Sequence, residues 1–135
     1  METLFLFISA LIALCYNEGD LLPFVYSALA AFAVGAALFF PNRHEKGNLN
    51  RKDCYIIISG VWIVFSIFGM IPLLLYGTVD NLTDAFFESM SGFTTTGASV
   101  LNNIDEQPHG ILFWRSITQW LGGLGIMLFS IALLP

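Results

Sequence analysis

The sequence predicts an all-α integral membrane fold, with two leading transmembrane helices followed by one helix–re-entrant loop–helix repeat. Three observations carry that reading. The chain is 56% hydrophobic and only 11% charged, with a mean hydropathy of +0.75, whereas a soluble domain carries about a quarter of its residues as Asp, Glu, Lys or Arg. Its apolar residues are gathered into runs long enough to cross a bilayer, and its charges fall between them. Between two of those runs lies a half-length amphipathic stretch followed by a Thr/Gly string.

Residues 3–16 form the first run, about 14 residues long and short of the roughly 20 that span a 30 Å hydrocarbon layer. Glu2 stands where a signal peptide would carry Lys or Arg, and Leu14 before Cys15 is not the small residue of a lipoprotein site. The run is expected to be a spanning helix without its N-terminal part. Asn17-Glu18-Gly19-Asp20 turns the chain into a second run of about 20 uncharged residues, with Pro23 suited to its opening turn. Pro41-Asn42 is expected to end that helix, because proline cannot continue it. A polar segment, Arg43-His44-Glu45-Lys46-Gly47-Asn48-Leu49-Asn50-Arg51-Lys52, leads to residues 54–76, a run of about 23 with Pro72 expected to kink its outer end. Residues 111–134 make the last run, about 24 long with the single charge of Arg115. The organisation is therefore residues 1–40 as two leading helices, 41–53 as a basic loop, and 54–135 as the repeat.

Of the five Lys and Arg residues, Arg43, Lys46, Arg51 and Lys52 share one loop. Cytoplasmic loops hold the basic excess, so loop 41–53 is expected inside a cell membrane and segments 17–20 and 77–110 outside. A net charge of −5 with so few basic residues supplies no nucleic-acid surface. Cys15 and Cys54 are too few for a disulfide framework and fall on opposite sides, so no pairing is expected. His44 and His109 stand alone, and no nucleophile–base set or phosphate-binding glycine loop is present. Neither an enzyme nor a bound cofactor is expected.

Residues 77–110 carry the chemistry. Asp84-Ala85-Phe86-Phe87-Glu88-Ser89-Met90 is helix-compatible and amphipathic, with Thr83 a candidate N-cap and Asp84 favourable in the first turn. Ser91-Gly92-Phe93-Thr94-Thr95-Thr96-Gly97-Ala98-Ser99 follows at once. Non-helical backbone at membrane depth survives only where protein buries it or it lines a watery cavity. There an extended segment can aim carbonyls at an axis and replace the hydration shell of a cation such as K⁺. Gly97 permits backbone conformations closed to residues with a Cβ, and the Thr hydroxyls would add ligands or tie the segment to its wall. The short helix would turn its negative C-terminal end toward the ion. Half of the ten acidic residues (Asp80, Asp84, Glu88, Asp105 and Glu106) lie in this segment and would concentrate cations at its mouth. An ordinary ectodomain loop is the competing reading of the same string.

The stretch from Asp84 to Ala98 resembles the first pore loop of the Trk-type potassium uptake proteins, the TrkH and KtrB family. Pro41-Asn42-Arg43-His44-Glu45-Lys46-Gly47 resembles that family's first cytoplasmic loop. Pro108-His109-Gly110-Ile111-Leu112-Phe113-Trp114-Arg115 and Gln119-Trp120-Leu121-Gly122-Gly123-Leu124-Gly125-Ile126 resemble its helix after the pore loop. The two helices before the hairpin make the TrkH branch the closer match. The resemblance implies one helix–re-entrant pore loop–helix repeat of a potassium uptake pore, with K⁺ held by the carbonyls of Thr95, Thr96, Gly97 and Ala98. It adds the Thr95 hydroxyl at the inner end. It further implies coupling to Na⁺ or H⁺ that varies among members, homodimeric pore subunits and a cytosolic nucleotide-binding regulatory ring.

Family members enclose a pore with four such repeats, and this chain has one. It is expected to be the N-terminal portion of a longer protein, completed by three more repeats. The alternatives are a homotetramer that closes a channel from four copies, and a non-conducting membrane partner of a full-length pore subunit. Thr94, Glu88 and Arg115 are read as filter supports, Arg115 either pairing with Glu88 or snorkelling to the interface. Gly122-Gly123-Leu124-Gly125 is read as close helix packing, with a gating hinge as the other possibility. Trp114, Tyr16, Tyr55 and Tyr76 fit interface anchors, while Trp62 and Trp120 are expected to pack deeper.

Overall fold

Helices form where the apolar runs are, and they break where proline and glycine require it. The structure, a computed structural model, describes residues 2–42 and 51–133. Six α-helices occur in it: α1 (Glu2–Tyr16), α2 (Leu21–Asn42), α3 (Arg51–Gly69), α4 (Ile71–Tyr76), α5 (Leu82–Phe93) and α6 (His109–Leu133), with one 3-10 turn at Ile104–Glu106. Among the described residues there is no β-strand. The Thr/Gly string, expected as an extended segment, is neither extended nor in a ladder: residues 91–93 finish α5, and Thr95 and Gly97 are left-handed.

Two segments, Leu21–Phe40 and Tyr55–Tyr76, are long and apolar enough to cross a membrane. α6, with 25 residues, is about 37 Å long. α1, with 15, reaches only about 22 Å. The outward sides of α1, α2 and α3 expose Leu4, Leu11, Leu22, Leu29, Leu38 and Ile56. So much exposed aliphatic surface marks an interface with lipid or other protein rather than with water.

Three boundaries differ from the sequence expectation. α2 carries through Pro41 to Asn42. A proline in the last turn forfeits only the one amide it would have donated to Ala37, a loss the helix end absorbs. The polar loop is correspondingly shorter than 41–53, and residues 43–50, with the basic Arg43 and Lys46, lie outside the described residues. Residues 54–76 make two helices, not one kinked one. The chain breaks at Met70 because Pro72, at the start of α4, cannot donate to Phe68 and its ring crowds that carbonyl. α4 then ends at Gly77, whose φ of +82° lets its own amide and that of Thr78 close back onto the Leu74 and Leu73 carbonyls.

The break organises the core. The Gly69 carbonyl accepts a hydrogen bond from the Trp114 indole at 3.0 Å. Trp114 is therefore fully buried and not at an interface, edge-on to Phe24 and Phe93, while Phe65 leans on Phe93. Around these rings α1 packs on α2 and α6, α5 sits between α3 and α6, and α4 rests on α2. Trp62 packs between helices as expected, leaving no room for a side chain at Gly125. Trp120 does not; it is exposed and touches only the edge of Phe5 among the described rings.

A polar contact adds to the packing of the leading helices on the last one. In the turn after α1, Glu18 accepts the His109 backbone N–H at 2.6 Å and lies 2.7 Å from His109 Nδ1, and Tyr16 stacks on that imidazole with ring centroids 4.0 Å apart. The carboxylate thus caps the positive end of α6. These bonds, the backbone one foremost, hold the Glu18 carboxyl below its ordinary 4.5. A depressed acid contributes stability that is present above the unfolded value and lost as pH falls through the folded one. In a complete subunit carrying this segment, thermal stability should fall more steeply below pH 4.5 in the native protein than in Glu18→Gln. Parallel acid limbs would show that the contact does not hold α6.

Candidate functional site

The site is built at the C-terminal end of α5. Asn81, extended at φ −111° and ψ 139°, is the N-cap residue, so Thr83 lies inside the helix and caps nothing. Asn81 instead meets Asp84 side chain to side chain at 3.2 Å, and Asp84 falls in the first turn as expected. α5 runs three residues beyond Met90, to Phe93, because Ser91, Gly92 and Phe93 all pack inward. Gly92 comes so close to α6 that a Cβ there would strike Thr118, and Gly122 of α6 abuts the Phe93 carbonyl. Small residues permit both approaches. Since Gly122 is 13 positions into α6, the end of α5 lies about 20 Å along that helix.

Helix ends leave carbonyls without partners, and here the following segment supplies them. Thr94 N–H donates to Met90 O at 2.9 Å, Thr95 N–H to Gly92 O at 2.9 Å, and Thr96 N–H to Ser91 O at 2.9 Å. The last two bonds form a Schellman cap, whose left-handed position is ordinarily glycine. Thr95 occupies it with φ +58°. A β-branched residue there stores about 1–2 kcal/mol of strain. Gly97 N–H also turns to Ser91 O, at 3.3 Å, and Gly97 has φ +73°. Left-handed residues at alternate positions turn successive peptide planes the same way, unlike the alternation of a strand. The amides of Thr95, Thr96 and Gly97 all face the helix end; each trans peptide turns its carbonyl the opposite way, so those of Thr95 and Thr96 face away, on a surface where Thr95, Thr96, Gly97 and Ala98 are exposed. Among the described residues no donor reaches the carbonyls of Thr95, Thr96 or Gly97.

Side chains pin the segment. The Thr94 hydroxyl donates to Met90 O at 2.8 Å and meets the Thr96 hydroxyl at 2.9 Å. The Ser91 hydroxyl donates to Ala98 O at 2.6 Å, so this carbonyl, unlike those of Thr95 and Thr96, is turned into the protein. Glu88 is the main anchor, with only 2% of its side chain exposed. It takes the Ser99 hydroxyl at 3.0 Å, the Val100 N–H at 3.0 Å, and Arg115 through Nε at 2.7 Å and Nη2 at 2.6 Å. Arg115, 16% exposed, lies against Glu88 and does not snorkel. The chain thus climbs back along α6, from Gly122 beside Thr95, past Gln119 near Gly97, to Arg115 below Val100.

A family model described as "Cation transport protein", TrkH, matches residues 23–135. The chain belongs to the TrkH family. It is 42% identical over 129 residues to the "Trk system potassium uptake protein TrkH" of Escherichia coli K12, covering 95% of this chain and 27% of that protein. The TrkG protein of the same organism is 36% identical over 92% of this chain, and the TrkI protein of Halomonas elongata 33% over 98%. The chain spans about a quarter of the length of these curated relatives. They are membrane transport proteins named for potassium uptake, not enzymes.

Of the residues picked out by sequence, Glu88, Thr94, Thr95, Thr96, Gly97, Ala98 and Arg115 converge on this one end of α5. Ser91 and the Ser99–Val100 step were missed as anchors. The Glu88-x-x-Ser91 spacing, which puts both side chains on one helix face, was the available signal. Cys15 is an exposed free thiol, and the Cys54 side chain lies outside the described residues.

Proposed function

We propose that residues 77–110 form a re-entrant pore loop between two spanning helices, and that this chain supplies one of four filter-lining repeats for K⁺ uptake. The carrying observation is the alternation of left-handed backbone at Thr95 and Gly97, with every intervening amide directed at the end of α5. That leaves a row of carbonyls on one exposed side, roughly midway along α6. Carbonyl rows of this kind replace a dehydrated cation's water shell. Thr95, Thr96 and Gly97 offer theirs to the ion, and Ala98 forms the outer rim. The α5 C-terminus adds a negative dipole end, and Glu88, Thr94 and Arg115 hold the geometry.

The wider reading rests on the family resemblance of the sequence and on the placement of its basic residues. Loop 41–53 is cytoplasmic and segments 17–20 and 77–110 external in a cell membrane. The rest of a longer chain provides the other three walls, and the share of the relatives covered accords with a leader plus one repeat of four. Full-length subunits pair as homodimers and work with a cytosolic nucleotide-binding partner, with Na⁺ or H⁺ as coupling ion. In a complete four-repeat pore carrying this segment, Gly97→Ser should weaken K⁺ over Na⁺ discrimination by about tenfold or more. Its Cβ meets no crowding, so any effect comes from the φ of +73° that serine adopts reluctantly. Rubidium uptake competed by sodium measures it; unaltered selectivity would count heavily against a filter here.

A further inference from the structure

We propose that the Ser91 hydroxyl is a selectivity-setting anchor, a positioning residue that pins the Ala98–Ser99 peptide and thereby decides which carbonyls the ion meets. The inference rests on the filter reading above and assigns within it a role that neither the motif nor the fold requires.

Ser91 grips the segment twice. Its backbone carbonyl collects the amides of Thr96 and Gly97, and its hydroxyl donates to the Ala98 carbonyl at 2.6 Å. The first grip turns the Thr95 and Thr96 carbonyls outward; the second turns the Ala98 carbonyl inward. The row of ion-facing oxygens therefore ends before Ala98, and it is a side chain that ends it. The next step of the chain is held by Glu88, through the Ser99 hydroxyl and the Val100 amide. Ser91 and Glu88 are one helical turn apart on α5, so a single rigid helix face fixes the two successive peptides from Ala98 to Val100.

The two anchors differ in what their loss would do. Ser91 is buried, yet Ala98 is exposed, so water can replace the hydroxyl when it is removed. The segment then keeps its fold, but the Ala98–Ser99 peptide is free to rotate and present its carbonyl to the ion. The number and field of the coordinating carbonyls set K⁺ over Na⁺ preference. Selectivity should change before stability does.

The test uses the complete four-repeat pore. Ser91→Ala should lower K⁺ over Na⁺ discrimination about tenfold, the scale of one lost buried hydrogen bond, while membrane abundance stays near native. Ser91→Thr, which keeps the hydroxyl, should retain discrimination. Should Ser91→Ala fail to accumulate, Ser91→Cys keeps the volume with a weak donor and is read by the same flux ratio. Native discrimination in Ser91→Ala or in its Cys substitute, beside a Gly97→Ser that has lost it, overturns the Ser91 assignment and leaves the filter reading standing. A Ser91→Thr pore as unselective as Ser91→Ala overturns it as well. If Gly97→Ser also discriminates normally, the filter reading falls and this one with it.

Discussion

Glu88→Gln should destabilise a complete pore subunit carrying this segment by about 3 kcal/mol, the cost of breaking a buried ion pair from one side. Glutamine fills the same volume, so packing is not at issue. What it loses is the charge on which Arg115, the Ser99 hydroxyl and the Val100 amide all converge. Glutamine can still accept one of those bonds, but it leaves a largely buried guanidinium unpaired. Arg115→Gln should cost a similar amount. The double variant should be milder than the sum of the two, because the second substitution removes the charge that the first stranded. Detergent melting midpoints of the four proteins give this cycle. Additive losses, or a Glu88→Gln protein that melts and selects as the native one does, would show that the pair braces nothing.

Gly122→Ala should cost about 1–3 kcal/mol or more, the range for forcing atoms into a filled site. The new methyl would land on the Phe93 carbonyl and crowd the Thr95 side chain. Neither can move freely, since Phe93 is buried in the aromatic cluster and Thr95 is held in the cap of α5. α5 would have to tilt off α6, taking the segment after it along. The neighbouring Gly123 is the internal control. Nothing lies within 4 Å of a Cβ built there, so Gly123→Ala should be neutral or gain up to about 1 kcal/mol of helix propensity. Equal melting shifts in the two variants would mean that the glycines serve the helix generally and not this one contact.

The contrast between those glycines shows where sequence reasoning stopped. Gly122-Gly123-Leu124-Gly125 reads as a stripe of small residues, and close packing was the natural expectation. Gly122 and Gly125 meet it, one against Phe93 and the other against Trp62, while Gly123 faces open space. The string cannot say which glycine faces which neighbour, because that depends on the rotation of α6 about its own axis. Trp114 makes the same point. Near a run end it looked like an interface anchor, yet it is the centre of the core, because Pro72 opens a helix 42 positions earlier and exposes a carbonyl for its indole. That acceptor is remote in the chain and invisible to local pattern.

What the residues alone determined is whatever local physics decides. Apolar run length predicted the spanning helices, proline and glycine marked the breaks, and the succession of amphipathic half-helix and Thr/Gly string marked the site. Tertiary structure decided the rest: the depth at which α5 stops, the alternate left-handed turns at Thr95 and Gly97, and the choice of Ser91 and Glu88 as holders of the Ala98–Val100 stretch. Those outcomes depend on hydrogen bonds and close approaches between residues far apart in the chain or across a helix end. Direction of a peptide plane is set by its partners, and partners are assembled only when the helices pack.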